Sequence, residues 1–181
     1  RISGVVYNGV DTASFPFNPE PGSYCVYLGD FRPDKGPLES IRAARSAGIP
    51  IRLAGPESEY FHQMIKPELD GFNVEYVGEV DHAGKVALLG DALAMLFPVS
   101  GLEACPLVLL ESMACGTPVL AIESGPVREI VTQGVGGIYV GELASLEEQL
   151  KHIDKLDRSA VRRLAVDRFD VSRMVDDYLR I

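Results

Sequence analysis

Short apolar runs alternate with helical segments along almost the whole of this 181-residue chain. Residues 24–28, 51–54, 74–77, 92–97, 119–122 and 138–140 read as buried strands. Residues 37–47 carry Leu38, Ile41 and Ala44 on one helical face, and Gly48 ends that helix. Residues 57–65 read as helical, with Tyr60, Phe61 and Met64 turned inward. Asp81 can cap a helix running to about Leu89. A helix carrying Glu111 follows the fourth strand, a short one covers residues 126–131, and helices fill most of the remainder. Strands separated by helices require crossover connections. The fold class expected is therefore α/β: a Rossmann-like, doubly wound parallel sheet with helices on both faces. Ligands bind such sheets beyond the carboxyl ends of the strands. Turns rich in glycine or proline fall there, at residues 29–36, 55–56, 78, 98–101 and 124–126.

One of these turns carries chemistry. Glu103 and Glu111 flank the start of a helix in which Pro106 suits the first position, where no backbone donor is needed. Gly116 suits the left-handed residue that ends the helix, and Pro118 stops its continuation. Glu103 then lies just outside the helix N-terminus and Glu111 in its second turn. Free amides and the positive end of the helix dipole can hold a phosphate there. The carboxylates can accept hydrogen bonds from hydroxyls. Isolated glutamates are usually solvated surface residues. Here Leu107, Val108, Leu109 and Leu110 precede Glu111, and a charge in so apolar a helix usually has a purpose. A polyhydroxylated, phosphorylated ligand such as a nucleotide-sugar fits the pattern.

Composition narrows the alternatives. Hydrophobic residues make up 46% of the chain and charged residues 24%, as in a globular domain with an ample core. A net charge of −9 gives no footprint for nucleic acid, and an anionic ligand would need a local cationic pocket. Cys25, Cys105 and Cys115 lack metal-binding spacing, which suggests a reducing compartment. No apolar run is long enough to span a bilayer, and no segment reads as a signal peptide. The chain starts at Arg1 rather than methionine, so it reads as part of a longer polypeptide. No Walker-type loop occurs, and the glycines from 134 to 137 follow a helix instead of opening one. His62, His82 and His152 are scattered and read as surface or capping residues. Cys115, near a helix C-terminus, is poorly placed for a reactive thiolate.

Taken in order, several segments resemble the retaining GT-B glycosyltransferases of family 4, or group 1, and specifically their C-terminal, donor-binding domain. Asn8-Gly9-Val10-Asp11 looks like the opening of that domain. The run from Leu28 to Gly36 resembles the GR-x-x-PEKG turn, and Val77-Gly78-Glu79-Val80 the F-x-G-x-V strand end. Glu103 and Glu111 have the E-x7-E spacing. The run from Glu111 to Val119 is similar to EAMA-x-G-x-PV, and that from Ser124 to Val131 to GG-x-PE-x-V. The resemblance covers residues 1–181 as one donor domain, one half of a GT-B fold. It implies retaining transfer of a hexosyl group from a UDP- or GDP-linked sugar to an acceptor held by an N-terminal domain that this chain lacks. It implies no metal and no cofactor besides the donor, and a cytoplasmic location with membrane attachment left to the other domain. Lys35 would meet the diphosphate, Glu111 the ribose, and Glu103 the transferred sugar, as the catalytic residue. The amides of Leu107 and Val108 would face the phosphate. The turn around Gly78 would lie by the base, and Glu129 ranks below Glu103.

The departures cluster on the ligand face. Asp30 stands where the family usually has arginine, which leaves Arg32 as the nearby substitute. Pro106 replaces a glycine and removes a donor. Cys105 takes a position that is often aromatic, and Pro126 one that is often glycine. Intact Glu103, Glu111 and Lys35 favour a transferase domain, inactive by itself. Two other readings are a degenerate binding domain and another GT-B enzyme, such as a sugar-nucleotide epimerase or phosphorylase.

Overall fold

A computed structural model describes residues 4–181. Its sheet contains strands β1 (Cys25–Leu28), β2 (Ile51–Ala54), β3 (Val74–Gly78), β4 (Ala94–Phe97), β5 (Val119–Ile122) and β6 (Gly137–Val140). They are ordered β3-β2-β1-β4-β5-β6, and all neighbouring pairs are parallel. This is the expected Rossmann-like fold. The chain first winds outward from β1 to β3, then returns to β4 on the other side of β1. That reversal leaves a crevice between the carboxyl ends of β1 and β4.

Because strand side chains alternate, each strand feeds two cores. Cys25 and Tyr27 of β1 join Ala94 and Leu96 of β4 in one layer. Val26, Met95 and Phe97 join the other. The first layer is covered by α1 (Pro37–Ala47) and α5 (Ala144–Leu150). The second is covered by α2 (His82–Gly90), α3 (Leu107–Ala114), α4 (Gly125–Ile130) and α6 (Arg158–Phe169). The last helix, α7 (Val171–Arg180), has no buried residue. No helix of the described residues is long and apolar enough to cross a membrane.

Three local expectations need correction. Residues 57–65 do not form one helix. A wide turn at Phe61–Ile65 passes into a tight one at Lys66–Glu68, where Pro67 removes a donor. The wide turn places Phe61 and Ile65 inward, while Met64 is 43% exposed. Pro106 precedes the first helical residue, with an extended backbone at ψ 98°. The strand expected from residue 92 starts at Ala94. Gly116 does take the left-handed conformation, at φ 83°, and its amide bonds the Met113 carbonyl.

Candidate functional site

A cavity of about 590 Å³ opens beyond the carboxyl ends of β1 and β4. It is floored by Leu28, Leu96 and Phe97 and rimmed by the turns after the first four strands. Lys35, Glu103, Leu107, Val108 and Glu111 all line it. Lys35 and Glu111, 76 residues apart in sequence, thus share one site because the crossovers bring strand ends together.

The start of α3 faces this space. Leu109 is the first residue whose amide finds a carbonyl, that of Pro106 at 3.1 Å. The amides of Leu107 and Val108 donate to no acceptor among the described residues, as expected for the first turn of a helix. Two carboxylates flank this end, and each is held by a lysine. Glu103 Oε1 accepts from Lys35 Nζ, and Glu111 Oε1 accepts from Lys85 Nζ at 2.5 Å. In both, the second oxygen accepts no hydrogen bond from the described residues, so it can receive a hydroxyl.

The two pairs are built differently. Lys35 ends a tight turn at Pro33–Lys35, and Gly36 then turns into α1 at φ 72°. A side chain at Gly36 would come within 2.5 Å of the Pro98 carbonyl oxygen, so only glycine lets the two loops approach. The Asp34 carbonyl accepts from the amides of Ser100 (3.0 Å) and Gly101 (3.2 Å), which fixes the loop that leads to Glu103. Arg32, expected near the ligand, forks onto the Asp34 carboxylate at 3.0 and 2.6 Å and does not line the cavity. That fork holds the Asp34 carboxyl below its ordinary range.

Lys85 was not among the residues singled out from the sequence. It lies on α2, which Asp81 starts by accepting from the Gly84 amide at 2.8 Å. Lys85 shares a helical stripe with Leu88 and Leu89, both buried. A lysine on the buried stripe of a helix needs a partner, and that spacing was the available signal. Its ammonium also lies 5.7 Å from the Phe15 ring. His82, read as a surface or capping residue, lines the cavity, stacks edge-on against Phe15 and bonds the Ser14 carbonyl.

Of the remaining expected residues, some fall on the rim and others lie away from it. Asp30 lines the cavity, and its carboxylate has no partner among the described residues, because Arg32 is taken by Asp34. Gly78 ends β3 at φ 84°, and its carbonyl accepts from the Gly55 amide. Its neighbours Glu79 and Val80 line the cavity, and Gly78 does not. Glu129 lies elsewhere, accepting from the Tyr7 hydroxyl at 2.9 Å. Burial pushes the Cys115 thiol up to about 11 and Cys25 up to about 12, so neither acts as a nucleophile at neutral pH. Pro126 and Cys105 share a smaller hollow with Tyr7 and Glu129, and Cys105 also borders the main cavity.

A doubly wound sheet with a cavity at its switch point, set against the start of a helix, defines a Rossmann-like α/β domain. Residues 12–164 match the family described as glycosyl transferases group 1, and the chain belongs to that family. It is 32% identical over 195 residues to a phosphatidyl-myo-inositol mannosyltransferase of Mycobacterium leprae, covering 96% of this chain and 51% of that protein. It is 27% identical to a glycogen synthase of Mycobacterium tuberculosis, covering 96% of this chain and 44% of the other. The chain thus spans about half the length of these relatives. Among solved structures, Anabaena HepE in complex with UDP and glucose superimposes with a TM-score of 0.82 at 22% identity, covering 98% of this chain and 56% of the other. AviGT4, a glycosyltransferase involved in avilamycin A biosynthesis, gives a TM-score of 0.82 at 25% identity, covering 99% and 57%.

Proposed function

We propose that this chain is the donor-binding half of a retaining GT-B glycosyltransferase, taking a UDP- or GDP-linked sugar into the cavity at the start of α3. The observation that carries this is the pair of lysine-held carboxylates, Glu103 and Glu111, on either side of free helix amides. The diphosphate sits at the α3 amides, within reach of Lys35, whose ammonium has donors beyond the one given to Glu103. The ribose hydroxyls donate to Glu111. The transferred hexosyl group sits by Glu103, and transfer retains the anomeric configuration. The acceptor is held by a second, N-terminal domain, and the reaction occurs in the cleft between the two. HepE in complex with UDP and glucose supports the ligand class. Residues 1–181 alone bind donor but do not turn it over, because domain closure positions the reactants and excludes water.

Calorimetry with UDP, GDP and a panel of their sugar derivatives tests this reading. Saturable binding of at least one nucleotide, with no release of free nucleotide from its sugar derivative, is the expected result. A second reading, a degenerate domain without donor affinity, rests on one observation. Asp30, Glu79, Asp81, Glu103 and Glu111 outnumber Lys35 and Lys85 around the cavity. Absence of binding by every nucleotide tested at low ionic strength would favour it.

A further inference from the structure

Among the described residues, the Lys85 ammonium touches no backbone acceptor and makes its one hydrogen bond to Glu111 Oε1. Both side chains are largely withdrawn from water, with relative exposures of 25% and 13%. Their backbones belong to two packed helices, so neither end of the pair can drift far. Lys85 is in turn confined by the Phe15 ring. The Phe15 carbonyl is tied down by Arg162 at 2.7 Å, and the same guanidinium also bonds the carbonyls of Thr12 and Ala114.

On this basis, and resting on the functional reading above, we infer that Lys85 is a positioning residue for donor binding. It clamps one oxygen of Glu111 so that the other faces the cavity and receives the ribose hydroxyls. Lys85 therefore acts through Glu111, and its removal is felt by the ribose rather than by the diphosphate. A carboxylate oriented by one fixed partner loses less rotamer freedom when its ligand arrives. Without Lys85 the Glu111 side chain is a half-enclosed anion with several rotamers and no partner.

Two comparisons test the assignment. Lys85→Met keeps the stem packed against Phe15 while removing the charge. Lys85→Arg keeps the charge. Calorimetry with UDP and GDP, and with their 2′-deoxy forms, reads the ribose preference directly. In the wild type the ribonucleotide should bind more tightly. Lys85→Met should abolish that preference and weaken ribonucleotide binding roughly tenfold, a typical loss for one charge-assisted contact. It should leave 2′-deoxynucleotide binding within about twofold, since that ligand makes less of the Glu111 contact. Lys85→Arg should recover part of the loss. The double variant Lys85→Met/Glu111→Ala should bind no worse than Glu111→Ala, because residues acting as one unit are not additive.

A retained ribose preference in Lys85→Met, or additive losses in the double variant, would overturn the inference. An equal loss for ribo- and deoxynucleotides would place Lys85 at the phosphates instead, and would overturn it too. If the wild type binds no nucleotide, the functional reading falls and this inference falls with it. If the wild type binds and Lys85→Met keeps its preference, this inference falls alone. Circular dichroism confirms that each variant is folded, and Lys85→Gln repeats the test should Lys85→Met fail to fold.

Discussion

The Lys85·Glu111 pair rides on two packed helices, whereas the Lys35·Glu103 pair is held by two loops. In the first, regular backbone hydrogen bonding fixes both Cα positions, and only side-chain rotamers remain to be set. In the second, the geometry depends on a left-handed glycine, a carbonyl shared by two amides and an arginine fork on Asp34. Under the proposed function, the helical pair is suited to the part of the ligand that stays the same from one donor to the next. The loop pair is suited to the part that changes, since loops vary without disturbing the sheet.

The largest effect should come from the helical pair. Glu111→Ala removes a charged acceptor and should weaken nucleotide binding by about 1.5–3 kcal/mol, roughly tenfold to a hundredfold, with the fold intact. Calorimetry with UDP and GDP checks this, and an unchanged affinity would remove Glu111 from the site. The loop pair can be broken through its backbone. Gly36→Ala forces a side chain into a left-handed conformation against the Pro98 carbonyl. It should cost about 1–3 kcal/mol of stability in urea denaturation. It should also erode recognition of the sugar while sparing the preference for ribose. Loss of the ribose preference instead would show that the two pairs are not independent.

The unpartnered carboxylate beside the loop pair sharpens the contrast. Asp30→Arg exchanges a repelling charge for a forked donor and should tighten nucleotide binding about fivefold at low salt. Added salt should shrink that gain. No tightening at low salt in a folded variant would mean that the diphosphate lies out of reach of this turn. The smallest effect is expected from Glu103→Gln on the free nucleotide, within about twofold, because the proposed function puts Glu103 at the sugar and away from the diphosphate contacts. The added affinity of a sugar-nucleotide over its nucleotide should largely vanish in the same variant. A large loss of UDP or GDP affinity would move Glu103 to the nucleotide side of the cavity.

Much of this arrangement is legible in the chain itself. The strands at Ile51–Ala54 and Val119–Ile122 and the helix at Pro37–Ala47 follow from apolar runs closed by glycine and proline. The spacing of Glu103 and Glu111 points to the start of α3, where both carboxylates line the cavity. What escaped were partners set by the detail of a tight turn or by the packing of distant helices. Arg32 is two residues from Asp30 in sequence, yet it turns to Asp34, because the tight turn at Pro33–Lys35 brings that carboxylate under the guanidinium. Lys85 is 26 residues from Glu111 and meets it because both helices pack on the same face of the sheet. Met64 was misplaced because local periodicity assumes a regular helix, and the chain there winds a wide turn.

The central claim is that one end of the cavity reads ribose through Glu111 while the other reads sugar through Glu103, with the diphosphate on the α3 amides between them. A crystal structure of this chain with a bound nucleotide-sugar tests it most directly. The result expected places phosphate oxygens about 2.7–3.1 Å from the Leu107 and Val108 amides. The ribose hydroxyls lie on the free oxygen of Glu111, with Lys85 still on the other, and the hexose lies beside Glu103. A nucleotide bound with its phosphates away from the start of α3, or with its ribose at Glu103, would contradict it.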